Sequence, residues 1–178
     1  MLIKEGVSPM IKQIKRAQGG DADAFADLMD HHMQLMYKTA RAILYSDEDV
    51  ADAVQDTILC CYENLAQLKK PSGFRSWLTK ILINKCNDIL RKKQMLVYCS
   101  EVPEEASSGQ EFENVEWNEA LKTLDEKYRL VIMLYYVEGF KTREISEILG
   151  LPEATVRTRL SRARQKVADI FQISLQSI

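Results

Sequence analysis

The chain has 178 residues, 46% of them apolar and 28% charged, which is enough apolar material for one modest core or two small ones and excludes general disorder. Its formal net charge of −2 argues, taken as an average, against a nucleic-acid partner, because surfaces that displace counterions from phosphate are basic. No run of about 18 apolar residues occurs, and Met1 to Gly20 contains lysines but no apolar stretch of signal-peptide type, so export and stable membrane insertion are not expected and a cytoplasmic location is.

The average conceals segregation. From Asp21 to Asp56, nine acidic residues face only Lys38 and Arg41; from Lys69 to Lys93, eight basic residues face only Asp88. Val97 to Ala120 holds seven glutamates and no Lys or Arg, and Lys141 to Lys166 holds seven basic residues against Glu144, Glu147 and Glu153. The blocks run acidic, basic, acidic, basic, so phosphate-facing surfaces are expected only in the second and fourth.

Residues 1–20 read as a lead that ends at Gly19-Gly20-Asp21. Ala22 to Leu44 reads as a helix with Phe25, Leu28, Leu35, Met36 and Ile43 inside, and His31-His32 within it as helix surface. Ser46-Asp47-Glu48-Asp49 opens a second helix, about Asp47 to Leu68, by capping and by carboxylates at the positive end of the macrodipole. Val50, Val54, Cys61, Leu65 and Leu68 form its inward stripe; Asp49, Asp52, Asp56 and Glu63 lie opposite, with apolar Leu59 among them. Such a face is either a solvated polar surface or a protein-docking surface.

Lys69-Lys70-Pro71-Ser72-Gly73 breaks the chain, and Phe74 to Lys93 resumes the helical period with Leu78, Leu82, Cys86 and Ile89 inward. Lys80, Asn84, Asn87 and Arg91 share the reverse face, where amides beside cations suit phosphates and exposed base edges. Trp77, beside Leu78, reads as core rather than as a stacking platform. Glu101 to Gln110 has linker composition. Cys60, Cys61, Cys86 and Cys99 lack CxxC spacing, so reduced thiols are expected, with neither disulfide framework nor metal site.

The second half shows helical patterns at Trp117 to Leu124, Lys127 to Val137 and Thr142 to Leu149, then Gly150-Leu151-Pro152, then a helix from about Glu153 to Phe171. Gly150 suits a left-handed helix end and Pro152 the first turn of the next helix, which is the layout of a helix-turn-helix whose second helix enters the DNA major groove. On that helix Val156, Leu160, Ala163, Val167 and Ile170 make the packed stripe; Thr155, Thr158, Ser161, Arg162 and Gln165 face away, able to meet base edges. Arg157 and Arg164 flank them on one side, Arg159 and Lys166 on the other, as two phosphate rails require.

The expected fold is all-α: two small helical domains, 21–95 and 116–171, joined by a flexible acidic linker, 96–115, with a lead, 1–20, and a tail, 172–178. The chain resembles the extracytoplasmic-function (ECF, group IV) bacterial RNA polymerase sigma factors over residues 20 to 170. In the first half the resemblance rests on Asp21-Ala22-Asp23-Ala24-Phe25, on Asp49 through Thr57, and on Phe74-Arg75-Ser76-Trp77-Leu78 with Ile81 and Asn84. In the second it rests on Leu124 through Arg129, Ile145 through Gly150 and Thr155 through Arg164.

The resemblance implies that the first domain is sigma region two and the second region four. It implies that Asp49, Asp52, Gln55 and Asp56, with Leu59 on the same face, bind the clamp helices of the largest subunit of core RNA polymerase. It also implies that the loop from Lys70 to Phe74, with Arg75, and the helix carrying Lys80, Asn84, Asn87 and Arg91 capture the minus-ten promoter element, including an unstacked base. Thr155, Thr158, Ser161 and Arg162 would read the minus-thirty-five element, Arg157, Arg159 and Arg164 hold its phosphates, and Thr142 and Arg143 add phosphate contacts. Members of this group are usually silenced by an anti-sigma factor, which is a further expected partner. No cofactor is implied, and no nucleophile-base set, HExxH spacing or phosphate loop suggests an enzyme. A helix-turn-helix repressor or activator acting on duplex DNA alone would explain the second half, but not an acidic helix beside a basic aromatic one.

Overall fold

The computed structural model describes residues 8–99 and 123–176, the side chains of 96–99 and 170–176 excepted. Among the described residues every regular element is helical: α1 (Pro9–Gln18), α2 (Ala22–Arg41), α3 (Asp47–Asn64), α4 (Phe74–Cys99), α5 (Glu126–Ile132), α6 (Thr142–Leu149) and α7 (Glu153–Gln176). The acidic segment 101–110, the helix expected from Trp117, the Cys99 thiol, the Ile170 side chain and the end of the tail lie outside what is described.

The first element was not anticipated. Residues 1–20, read as a bare lead, contain α1, which starts at Pro9 in the first turn and packs on α2. Ile14 is buried against that neighbour, with Met10 and Ala17 half-buried beside it. Gln18 ties the end of α1 to the end of α3: its amide donates to the carbonyls of Leu65 and Leu68 at 3.0 and 2.9 Å. The Leu65 carbonyl also takes the Leu68 N–H of the 3-10 turn, so Gln18 adds a second donor there, at a helix end where carbonyls are short of partners.

Asp21 caps α2 by accepting from the backbone N–H of Ala24 at 2.9 Å and pairs with Arg16 at 2.6 Å. The N-cap bond first, and Arg16 second, hold its carboxyl below the ordinary carboxylate range. The helix buries Leu28, Leu35 and Met36 as the period demands, leaves Phe25 half-buried, and ends at Arg41 rather than Leu44. Ile43 and Leu44 remain core residues, held in a turn by N–H bonds to the Ala40 carbonyl. Ser46 caps α3, which becomes a 3-10 turn at Leu65–Gln67; Val50, Val54, Cys61 and Leu65 are buried, Leu68 only partly.

A second 3-10 turn, Pro71–Gly73, leads into α4, which runs to Cys99, six residues beyond the expected end at Lys93. Leu78, Leu82 and Cys86 are buried between α2 and α3, and Trp77 is half-buried against the same core, as its core reading requires. Thr57 and Thr79 are buried as well, each hydroxyl donating to the carbonyl four residues earlier. Burial pushes the Cys61 and Cys86 thiols up to about 12, so both behave as small apolar side chains.

One histidine departs from expectation. His31 is exposed, but His32 is 6% exposed, its Nδ1 donating to the Leu28 carbonyl at 2.8 Å and its ring set edge-on to Phe74 at 5.2 Å. The imidazole takes the place of an apolar residue by turning its polar atom onto the helix backbone. Adjacent histidines point to different faces, so reading the pair as surface was an error of helical phase.

In the second half α5 passes into a π-helical turn at Met133–Val137. The wider turn is closed by the Glu138 N–H on the Met133 carbonyl, and Phe140 folds back on Leu134, both at 2.9 Å. Val156, Leu160, Ala163 and Val167 of α7 are buried against α5 and α6.

Candidate nucleic-acid interface

The acidic face of α3 keeps most of its expected members in solvent: Asp52, Gln55 and Asp56 are exposed, and Leu59, 57% exposed, stands among them. Asp49 is different. Its carboxylate is 15% exposed and lies 2.8 Å from the ammonium of Lys93 on α4, so it joins two helices as well as bordering the acidic face. Between α2 and α3 an apolar groove of about 610 Å³, lined by Met33, Tyr37, Val54 and Ile58, runs beside Gln55.

Lys80, Asn84, Asn87 and Arg91 are all exposed along one side of α4. Arg91 is held by Asp88 one turn before it. Lys70 is exposed at the start of the 3-10 turn. Phe74 is not available to DNA: it is 2% exposed and clasped by His32 and Trp77, so its assignment to the minus-ten surface is corrected to a core position. An aromatic opening a helix is compatible with either place, and the neighbouring α2 decides. Arg75 is turned toward the second half of the chain, where its guanidinium donates to the Glu138 carbonyl at 2.5 Å and its carboxylate at 2.9 Å and covers the Phe140 ring at 4.2 Å.

In the helix-turn-helix, Gly150 takes φ +64°, the left-handed position foreseen for it, and the turn is fastened by the Leu151 N–H on the Ser146 carbonyl at 3.1 Å and the Ser146 hydroxyl on the Leu151 carbonyl at 2.5 Å. Arg157, Thr158, Ser161, Arg162 and Arg164 are exposed on α7, with Thr155 and Arg159 half-exposed. Several of these already have partners. The Thr158 hydroxyl donates to the Ala154 carbonyl, Arg164 Nε donates to Leu160, and Arg143 pairs with Glu147 at 3.5 Å.

Glu153 is the residue the sequence reading undervalued, since it entered only as one charge offsetting seven. It accepts from the Thr142 hydroxyl and from Arg157, each at 2.7 Å, bridging the first turns of α6 and α7. These two bonds, Thr142 first, hold its carboxyl below the ordinary value. A shallow groove of about 370 Å³ on this face is lined by Thr155, Thr158, Arg159 and Arg162, and also by Lys127 and Tyr128 of α5. Lys127 is exposed and adds a cation that linear spacing along α7 did not reveal.

Two family patterns match the chain: sigma-70 region 2 over residues 28–95 and sigma-70 region 4 over residues 115–167. The first covers the half that a repressor reading left unexplained. The ECF RNA polymerase sigma factor SigW of Bacillus subtilis is 31% identical over 173 residues, spanning 86% of this chain and 92% of that protein. The RNA polymerase sigma factor SigV of the same organism is 35% identical over 135 residues, 74% of this chain and 81% of SigV. Among solved structures, CnrH in complex with the cytosolic domain of CnrY superposes with a TM-score of 0.67 at 26% identity, covering 92% of this chain and 97% of CnrH. RpoE of Bartonella quintana, in complex with the anti-sigma factor NepR, has the same fold, with a TM-score of 0.73 at 22% identity over 83% of this chain and 98% of RpoE. With the region-2 and region-4 patterns in order along one chain and a relative of this identity matched over nearly its whole length, the chain belongs to the ECF RNA polymerase sigma factors.

Proposed function

We propose that this alternative sigma factor docks on core polymerase through the α3 face. Asp52, Gln55 and Asp56 make the polar contacts, Leu59 supplies an apolar anchor, and Asp49 shares its charge between the rim of that face and Lys93. The clamp helices of the largest subunit are the receiving surface. The 21–95 unit takes the minus-ten element with Lys70, Lys80, Asn84, Asn87 and Arg91, which combine backbone cations with amides for an unstacked base. The 116–171 unit takes the minus-thirty-five element in the major groove, with Thr155, Thr158, Ser161 and Arg162 toward bases and Arg143, Arg157, Arg159 and Arg164 toward phosphates. The segment 96–115 acts as an acidic tether that DNA repels.

The observation carrying this reading is the division of labour between adjoining helices: α3 exposes carboxylates and Leu59, while α4 exposes Lys80, Asn84, Asn87 and Arg91. Carboxylates repel phosphate, so only the second row can face DNA and the first is left for protein. The protein works in the cytoplasm as a transcription factor without catalytic residues, cofactor or metal; none of its described helices is long and apolar enough to cross a membrane. By likeness to the complexes of CnrH and RpoE, a cognate anti-sigma factor holds it inactive until a signal releases it.

Run-off transcription with purified core polymerase and a library of promoter fragments tests this. Initiation that depends on the chain, and is lost in an Asp52→Lys, Asp56→Lys variant that still folds, is the expected result. Tight binding to duplex DNA by the chain alone, with no initiation from any fragment, would overturn it.

A further inference from the structure

Helix α1 exposes Lys12, Lys15 and Arg16 and has no carboxylate anywhere along Pro9–Gln18. A helix face that is merely solvated ordinarily mixes the two signs. Arg16 is already committed, since it pairs with Asp21 at 2.6 Å. Lys12 and Lys15 have no carboxylate within ion-pair distance among the described residues.

Helical phase says where these two lysines stand. Ile14, Met10 and Ala17 are turned toward the core. Ile11 and Gln18 occupy the next edge: Ile11 borders a cleft of about 590 Å³ that Pro71 and Ser72 also line, and Gln18 binds the Leu65 and Leu68 carbonyls. Lys15 lies between those two residues on the same edge, four residues after Ile11 and three before Gln18. It therefore borders the stretch from Leu65 to Gly73, which carries Lys69 and Lys70, both exposed and likewise without a carboxylate partner among the described residues. Lys12 is one turn back along α1 and further round toward solvent. Packing of α1 beside this loop thus gathers ammonium groups from two distant parts of the sequence.

We propose that α1 is a phosphate-binding rail: Lys12 and Lys15, with Lys69, hold the backbone of the unwound promoter strand where it continues past the minus-ten element, without reading its sequence. The inference rests on the sigma-factor reading above and extends its minus-ten surface by one element. Like charges brought together repel one another, so the cluster destabilises the free chain slightly and is relieved by a polyanion. An ammonium on a flexible stem is a point charge without the planar fork of a guanidinium, which suits it to phosphates at variable positions and not to a base edge. The cluster is also continuous with Lys70 of the minus-ten loop, so a strand held there has its next phosphates within reach of α1.

Salt titration of probe binding by holoenzyme reconstituted with the full chain and saturating core polymerase tests the proposal. Two fork-junction probes are compared, one whose single strand extends past the minus-ten element and one trimmed at its end. Each lysine on a single-strand phosphate adds about 0.7 to the logarithmic salt slope, so the double variant Lys12→Gln, Lys15→Gln should lower the slope on the extended probe by about 1.4. On the trimmed probe the double variant and wild type should have equal slopes, and Lys12→Arg, Lys15→Arg should keep the wild-type slope on both. Far-UV circular dichroism checks that the variants, changed only at exposed helix positions, remain folded. An unchanged slope on the extended probe, or an equal reduction on both probes, would overturn the proposal, and weaker core binding with an unchanged slope would give this face to polymerase instead. A wild type that forms no core-dependent promoter complex would sink the sigma-factor role and the rail with it, whereas a wild-type complex indifferent to the two substitutions sinks the rail alone.

Discussion

The carboxylate of Glu153 accepts from the guanidinium of Arg157 at 2.7 Å, one turn further along the helix expected to enter the major groove. A phosphate cation is thereby kept partly neutralised, and a negative charge is fixed at the edge of the DNA face. Replacing Glu153 by Gln should free Arg157 and remove a repulsion from phosphate. In salt titrations of promoter binding by the reconstituted holoenzyme, the logarithmic slope should steepen by about one, with weaker discrimination among minus-thirty-five sequences. An unchanged slope would mean that Arg157 already reaches phosphate despite its partner. Because the Glu153 carboxyl is held below its ordinary value of 4.5, this bridge is present throughout the neutral range. It is lost only as pH falls below that value through the lowered one.

His32 makes the acid side of stability sensitive at a milder pH. Burial is the main cause holding its imidazole below the ordinary 6.5, outweighing the Leu28 carbonyl that favours the cation. The unfolded chain therefore binds a proton at His32 before the folded chain does, and stability falls as pH drops below 6.5 toward the lowered folded value. Urea unfolding at pH 7.5 and 5.5 should show this loss in wild type. In His32→Gln, less stable at pH 7.5 because the ring contact with Phe74 is lost, the difference between the two pH values should shrink. Equal pH dependence in both proteins would assign the loss to other groups.

The lead helix should matter to stability although it lies outside the matched region-2 pattern. Ile14 is 2% exposed, so Ile14→Ala should cost about 2–5 kcal/mol by transfer and cavity terms. Gln18→Ala removes two bonds to the Leu65 and Leu68 carbonyls and should cost roughly 1–3 kcal/mol. Chemical denaturation with an unchanged m-value checks both. A midpoint unmoved by either change would show that α1 is not part of the cooperative unit.

What the sequence made legible follows from how local each signal is. The α6-turn-α7 geometry was readable because Gly150 and Pro152 impose backbone angles by themselves, and the α4 stripe of Leu78, Leu82 and Cys86 because it persists over several turns. His32 was legible, since it stands four residues from both Leu28 and Met36 on the buried stripe of α2. Phe74 and Arg75 were misplaced or incomplete for another reason, which they share: their surroundings come from elements far along the chain. The ring of Phe74 is settled by His32, and the direction of Arg75 by Glu138, 63 residues away. The α1 helix escaped notice because its apolar residues are few and its stability derives from packing on α2 rather than from propensity. The carboxylates of α3 share one face by periodicity alone, yet Asp49 differs from Asp52 and Asp56 through Lys93, a tertiary partner that spacing within one helix does not disclose.

Phe74 and Asn84 separate packing from promoter reading on one helix. Phe74 is buried and ringed by His32 and Trp77, so Phe74→Ala should destabilise the fold by about 3–5 kcal/mol. Phe74→Leu, which keeps most of the apolar volume, should lose far less stability and still open promoters. Asn84 is exposed, so Asn84→Ala should leave stability within about 0.5 kcal/mol. Its effect should instead fall on strand opening, read by permanganate reactivity of unpaired thymines in the minus-ten region with holoenzyme at saturating concentration. If Phe74→Leu abolished opening while remaining folded, the ring would have a stacking role that its burial in the free chain conceals. If Asn84→Ala opened promoters as wild type does, the amide row on α4 would not be the surface that captures the unstacked base.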